Sequence, residues 1–256
     1  MKQANMSDWM RGLYTLGGAV AQIVFGALPF ILGWEHTVGS RSAETFTLIT
    51  PAGYAFSIWS VLFAGSLLFS IYQLARPAHE PLRRIGWLAG NAFWLNAIWE
   101  TYVPFQGLDG VSLVIIQLTW LLLVVLLLRA SGDDQAGFWD RVFRAPLFAL
   151  AGWLNAAAFV NILATSNFYE LTWLGSGELA PAVLVLVAAS LAASLVLSRL
   201  PSLSYFAAVA WALYAVHIAT DMRGDEVLPM LALGLMGAVA ATLLASGVRA
   251  MRKPRA

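Results

Sequence analysis

Charged side chains cut this chain into eight long, nearly uncharged stretches, and that division constrains the fold more than any other feature. The intervals are Arg11 to Glu35, Glu44 to Arg76 (its apolar part opening near Gly53), Arg84 to about Tyr102, Asp109 to Arg129, Arg144 to Glu170, Glu178 to Arg199, Arg199 to Asp221, and Glu226 to Arg249. Each can supply the roughly 20 mostly apolar residues of a spanning helix. Pro201 separates the sixth from the seventh. The stretches are continuous rather than alternating, which argues against a transmembrane barrel. With 60% hydrophobic and only 11% charged residues, a soluble globule of 256 residues would lack polar cover, and disorder needs the opposite composition. The expected fold class is all-α: a polytopic membrane helix bundle of about eight transmembrane helices. Gly12 to Trp34 is too long for the apolar region of a signal peptide and reads as a retained first helix.

Alternate crossing places Arg41 and Arg223 on one side and the remaining 13 of the 15 Lys and Arg residues on the other. By the positive-inside rule this expects both termini in the cytoplasm of a multi-pass protein, in a bacterial plasma membrane. The outer side then holds the long first loop and the acids Glu35, Glu44, Asp109, Glu170, Glu178, Asp221, Asp225 and Glu226. Trp9, Trp34 and Trp173 read as anchors at the membrane interface.

Polar side chains are costly in hydrocarbon and normally face the bundle interior. Here they are Gln22, Asn91, Asn96, Glu100, Gln117, Asn155, Asn161 and His217. Asn96 and Glu100 near the outer end of helix three, Asn161 on helix five and the aromatics Tyr54, Phe56 and Trp59 opening helix two share one level. They predict an outer-half cavity lined by rings and a few amides, the usual make-up of a small-molecule site. Each also has a plainer reading. Asn96 can simply bond a neighbouring helix, Glu100 can be solvated at the interface, and the Phe56, Trp59, Phe63 stripe can be packing. His217 with Asp221, four residues apart, is a proton or polar site or merely an oriented histidine near the surface. Gly234, Gly237 and Ala241 suit close helix packing.

Several chemistries lose support. Cysteine is absent, so thiolate sites and disulfides are excluded. Lys2 and Lys253 are the only lysines, so no buried lysine can carry a Schiff base. His36 and His79 fall on opposite sides, and no metal site is expected. There is no P-loop, His-Glu-x-x-His or Gly-x-Ser-x-Gly motif. Trp94-Leu95-Asn96-Ala97 is echoed by Trp153-Leu154-Asn155-Ala156.

One stretch goes further. Pro51-Ala-Gly-Tyr54-Ala-Phe56-Ser-Ile-Trp59-Ser-Val-Leu-Phe63-Ala-Gly65 resembles the loop-to-helix-two signature of the TspO/MBR family, the tryptophan-rich sensory proteins. Leu95-Asn96-Ala-Ile-Trp99 looks like its helix-three Leu-Asn-x-x-Trp, and Trp153 with Val160-Asn161 looks like its helix-five pattern. Family order is kept over about residues 9–165. The paired prolines and loop tryptophans of the family are reduced here, and Pro146 precedes Trp153 at a longer spacing. The resemblance implies a five-helix core over 1–165, with 166–256 adding three transmembrane helices and a basic tail. It further implies a first outer loop acting as a lid, and a homodimer. It implies a flat hydrophobic ligand, a porphyrin or haem bound as ligand rather than as an obligatory cofactor, at Tyr54, Phe56, Trp59, Asn96, Trp99, Trp153 and Asn161.

The first functional expectation is therefore a non-enzymatic membrane receptor or carrier with a sensing or transport role. Its partners would be the bilayer and a small hydrophobic ligand, with no nucleic acid. A small-solute secondary transporter using Glu100 for coupling is the second. An intramembrane enzyme acting on a porphyrin is the third, and no catalytic dyad supports it.

Overall fold

The structure, a computed structural model, describes residues 3–131, 136–171 and 179–252. Lys2, Trp173, Gly177, Glu178, Lys253 and Arg255 lie outside the described residues. Eight long helices follow the charge-bounded intervals: α1 (Met6–Ile31), α2 (Ile58–Ala75), α3 (Gly86–Gln106), α4 (Gly110–Ser131), α5 (Phe138–Phe168), α6 (Leu179–Arg199), α7 (Leu203–Met222) and α8 (Leu228–Arg252). Short helices at Val38–Glu44, Gly53–Ser57 and Glu80–Arg83 lie in the connections. The described residues contain no strand. Seven of the eight are long and apolar enough to cross a membrane, α2 being counted with the turn before it. The eighth, α3, has the length, 21 residues, but Asn91, Asn96, Glu100 and Gln106 lower its hydropathy. Its neighbours α1 and α4 cover it.

The intervals misplace two helix starts, for a physical reason. α1 begins before Arg11 and α5 before Arg144, because an aspartate in the first turn caps each. Asp8 and Asn5 exchange backbone-to-side-chain hydrogen bonds of 3.0 Å. Asp140 Oδ2 accepts the Gly137 N–H at 2.9 Å. Such caps satisfy donors that a helix start leaves open. Glycines in the left-handed region stop α1 at Gly33 (φ 63°) and α7 at Gly224 (φ 74°). The next N–H then reaches back into the helix, Trp34 to the Pro29 carbonyl at 2.9 Å and Asp225 to that of Thr220 at 3.1 Å.

The helices form two rings that share α5. One runs α1, α2, α5, α4, α3 and back to α1; the other runs α5, α6, α8, α7 and back to α5. Lipid offers no hydrophobic drive for helix association, so small residues and hydrogen bonds set the contacts. A Cβ on Gly65 would lie 2.3 Å from Pro146 Cβ, fixing α2 against α5. One on Gly152 would lie 2.4 Å from the Tyr205 carbonyl oxygen, fixing α5 against α7. Asn96 Nδ2 donates to Gln22 Oε1 of α1 at 3.2 Å. Its echo Asn155 donates to the Ala189 carbonyl of α6 at 3.0 Å. Both are interhelical ties. Two expectations are corrected. Nothing lies within 4 Å of a Cβ built on Gly234 or Gly237, so these glycines are not a close-packing seam within the chain. Asn91 faces outward, accepting the Tyr14 hydroxyl at 2.9 Å.

At the end where α1 and α5 begin, the connection from α2 to α3 is clamped from both sides. Arg83 Nε and Arg11 Nη1 donate to Asp8 Oδ1 at 2.8 and 2.9 Å. Arg11 Nη2 donates to the Pro77 carbonyl at 2.6 Å. On the other side Asp140 accepts the Tyr72 hydroxyl at 2.9 Å and lies 2.9 Å from His79 Nε2, while Arg144 donates to the Pro81 carbonyl at 2.7 Å. Asp8, Arg11, Asp140 and Arg144 are all buried.

Candidate ligand cavity beneath the lid

The opposite end is closed by residues 32–57, and three helices hold this lid. From α3, the Pro104 carbonyl accepts Arg41 Nε and Nη2 at 3.2 and 3.1 Å. From α5, Asn167 Nδ2 donates to the Phe46 carbonyl at 2.6 Å. From α7, the Ala215 carbonyl accepts the Ala52 N–H at 3.1 Å, and Trp211 Nε1 donates to the Ala55 carbonyl at 3.0 Å. Just past α7, Arg223 donates to the Leu48 carbonyl at 2.6 Å, its guanidinium 4.9 Å from the Phe46 ring centre. Within the lid, Glu44 takes Arg41 Nη1 at 2.8 Å and lies 2.9 Å from His36 Nδ1. The Arg41 guanidinium first, and His36 after it, hold the Glu44 carboxyl below its ordinary value.

Under the lid, Val38, Phe56 and Trp59 stand between an inner and an outer space and line both. The inner one is a cavity of about 60 Å³ between α2, α3, α5 and α7, lined also by Trp99, Trp153, Asn161 and Ala212. Its aromatic walls meet edge to face: the Trp153 ring centre is 6.1 Å from those of Phe56 and Trp59. The indole N–H groups of Trp99 and Trp153 are buried without an acceptor. The outer space is a groove of about 770 Å³ between α1 and α2, walled by Ile23, Gly26, Phe30, Trp59 and Phe63, with Glu100 of α3 in its wall. A Cβ on Gly26 would lie 3.1 Å from the Phe63 ring and 3.7 Å from Glu100 Oε2, so the glycine lets α1 approach the ring and the carboxylate closely.

Five of the residues singled out in the sequence meet here: Phe56, Trp59, Trp99, Trp153 and Asn161 line the inner cavity. Asn161 also donates to the Ala157 carbonyl of its own helix at 2.9 Å. Asn96 lines neither space and is spent on the bond to Gln22. Tyr54 is exposed and packs edge-on against Trp211, 5.4 Å between ring centres. Glu100, His217 and Asp221 do not converge on either space. Only Glu100 lines one; His217 Nδ1 lies 3.2 Å from the Pro229 carbonyl oxygen of α8, and Asp221 is exposed. Among the described residues no group of three His, Asp or Glu could hold a metal ion.

Sequence reasoning missed the lid anchors Trp211, Arg223 and Asn167, and the groove glycine Gly26. Trp211 left one trace, a lone tryptophan in the Ala-rich seventh span. The others left none, because they act through main-chain carbonyls or through an absent side chain.

A family model described as TSPO-like protein matches residues 13–246. That match runs from α1 through α8, so the second ring belongs to the matched unit together with the first. No curated protein and no solved structure matches the chain. With nine-tenths of its length covered by that model and its helices able to cross a bilayer, the chain belongs to the TSPO-like protein family.

Proposed function

We propose that this protein is a membrane receptor or carrier for a flat hydrophobic ligand of the tetrapyrrole class, held under the lid against Phe56, Trp59, Trp99 and Trp153. The observation that carries this reading is the meeting of four aromatic side chains from three separate segments around one small space. Flat conjugated ligands stack on such rings. The buried indole N–H groups of Trp99 and Trp153 lack an acceptor, which a carboxylate or carbonyl of the ligand would supply.

Size adds a condition. Ligand pockets usually measure about 300–1,000 Å³, and the inner cavity is far smaller at about 60 Å³. A macrocycle needs the Phe56–Trp59 partition to swing, so that the inner cavity merges with the groove. In this reading the clamp end, with its excess of arginine, faces the bacterial cytoplasm together with both termini. The test is titration of the purified protein with protoporphyrin IX, following tryptophan fluorescence. Saturable quenching that Trp59→Ala and Trp153→Ala both lose is expected. Unchanged quenching in both variants would sink the site assignment.

A further inference from the structure

The groove between α1 and α2 differs from the inner cavity in one chemical respect. Among the described residues, Glu100 is the only ionisable side chain in its wall. It is 5% exposed, and its Oε1 is buried without a hydrogen-bond partner. An unpaired carboxylate in such a place is costly, and a matching cation relieves that cost. Among the described residues no Arg, Lys or His lines the groove, so none of them supplies that cation. Six residues separate Glu100 from the end of α3, about 9 Å at the rise of a helix, so the carboxylate sits just below the lid. Trp59 and Phe63, with ring centres 5.1 Å apart, form the wall beside it. Aromatic faces attract a desolvated cation. The lid end around the mouth carries more acids than bases, with Arg41 and Arg223 its only arginines, a field that gathers cations.

We infer that the α1–α2 groove is a binding site for an amphiphilic organic cation, whose charged nitrogen or phosphorus centre pairs with Glu100 while its apolar body lies on Trp59, Phe63 and Phe30. The site adjoins the space of the tetrapyrrole reading, sharing Trp59 with it, and is distinguished by the charge it selects: Glu100 favours a cation over a ligand whose carboxylates face the groove. The groove's volume, about 770 Å³, suits a ligand of several rings.

The probe is tetraphenylphosphonium, a permanent cation, measured by equilibrium dialysis against purified full-length protein beside the uncharged triphenylphosphine. Wild type should bind the cation saturably, and Glu100→Gln should weaken that binding at least tenfold while changing triphenylphosphine binding less than twofold. Gly26→Leu keeps the carboxylate but sets a side chain against Phe63 and beside Glu100 Oε2, and should also lose the cation. Thermal melting of both variants checks that they fold. Cation affinity within twofold of wild type in Glu100→Gln or in Gly26→Leu overturns the inference, as does an equal loss for the neutral probe. Phosphatidylethanolamine presents the same ammonium chemistry. Repeating the titration in nanodiscs with and without it separates the sources: unchanged affinity assigns a free cation, and weakened affinity assigns the lipid head group. Porphyrin quenching of the wild type is a separate titration, so either reading can fail while the other stands.

Discussion

At the end that carries Asp8 and Asp140, charge is buried and answered by charge; at the lid end, most ties are single donors reaching main-chain carbonyls. The Asp8 carboxylate receives two guanidinium groups and one N–H, and Asp140 faces Tyr72, His79 and the Gly137 N–H. The lid depends on Asn167, Trp211, Arg223 and Arg41, each acting on a carbonyl. Its one ion-pair group, at Glu44, is partly exposed, and such pairs contribute little. Removing one partner of a buried ionic group strands the others, whereas removing one exposed donor costs a single net hydrogen bond. The difference teaches which end is built to stay shut and which can open. The cavity and groove lie at the end with the weaker ties.

The clamp should show the largest effect. Asp8→Ala leaves Arg11 buried without its carboxylate and should lower stability by roughly 3 kcal/mol, read as a fall in melting temperature in detergent. A melting point equal to wild type would remove the contrast between the ends. Next comes the helix that joins the rings. Gly152→Ala forces a methyl group to within 2.4 Å of the Tyr205 carbonyl oxygen. It should cost about 1–3 kcal/mol as overpacking and, by displacing α7, should speed hydrogen exchange at Ala52 and Ala55. Loss of stability with unchanged exchange there would mean that α7 does not hold the lid.

Trp211→Phe is gentler. It removes one hydrogen bond, about 1 kcal/mol, and should raise proteolysis of residues 46–56 about fivefold, by the usual conversion of free energy to population. Clamp-end residues 76–85 should show no change in the same digest. The smallest effect is that of pH on the lid. Glu44 has a lowered folded pKa, so its contribution is fully present above the unfolded value of 4.5 and fades as pH falls through the lower folded value. Lid protection should therefore be flat from neutral pH to about pH 5 and drop below about pH 4, and Glu44→Gln should abolish that drop. A drop that persists in the variant assigns it to another group.

Much of the architecture was legible in the chain because each spanning helix must be long, apolar and internally hydrogen-bonded. Charges therefore mark the ends, except where pairing lets them enter. Arg11 and Arg144 looked like borders and are buried inside helices, because Asp8 and Asp140 are one turn away and the 76–85 connection folds over them. Phe56 and Trp59 could be read from their helical level, whereas Trp99 and Trp153 were reached through the family resemblance and not through their level. Asn96 could not be assigned this way, since an amide at that level serves a ligand or a neighbouring helix equally well, and only the position of Gln22 decides.

What the sequence by itself determined is the number of long helices, their alternating direction and the height at which rings and amides sit along them. These follow from local composition and from the cost of leaving backbone groups unpaired in lipid. What only the tertiary structure decided is rotation and neighbourhood: that α5 is shared by two rings, that α7 reaches across to fasten the lid, that Gly26 sits against Phe63 and Glu100 while a Cβ on Gly234 or Gly237 would meet nothing within 4 Å. Hydropathy is nearly the same on every face of a helix bathed in hydrocarbon, so the faces are chosen by steric fit and a few hydrogen bonds between residues far apart in the chain.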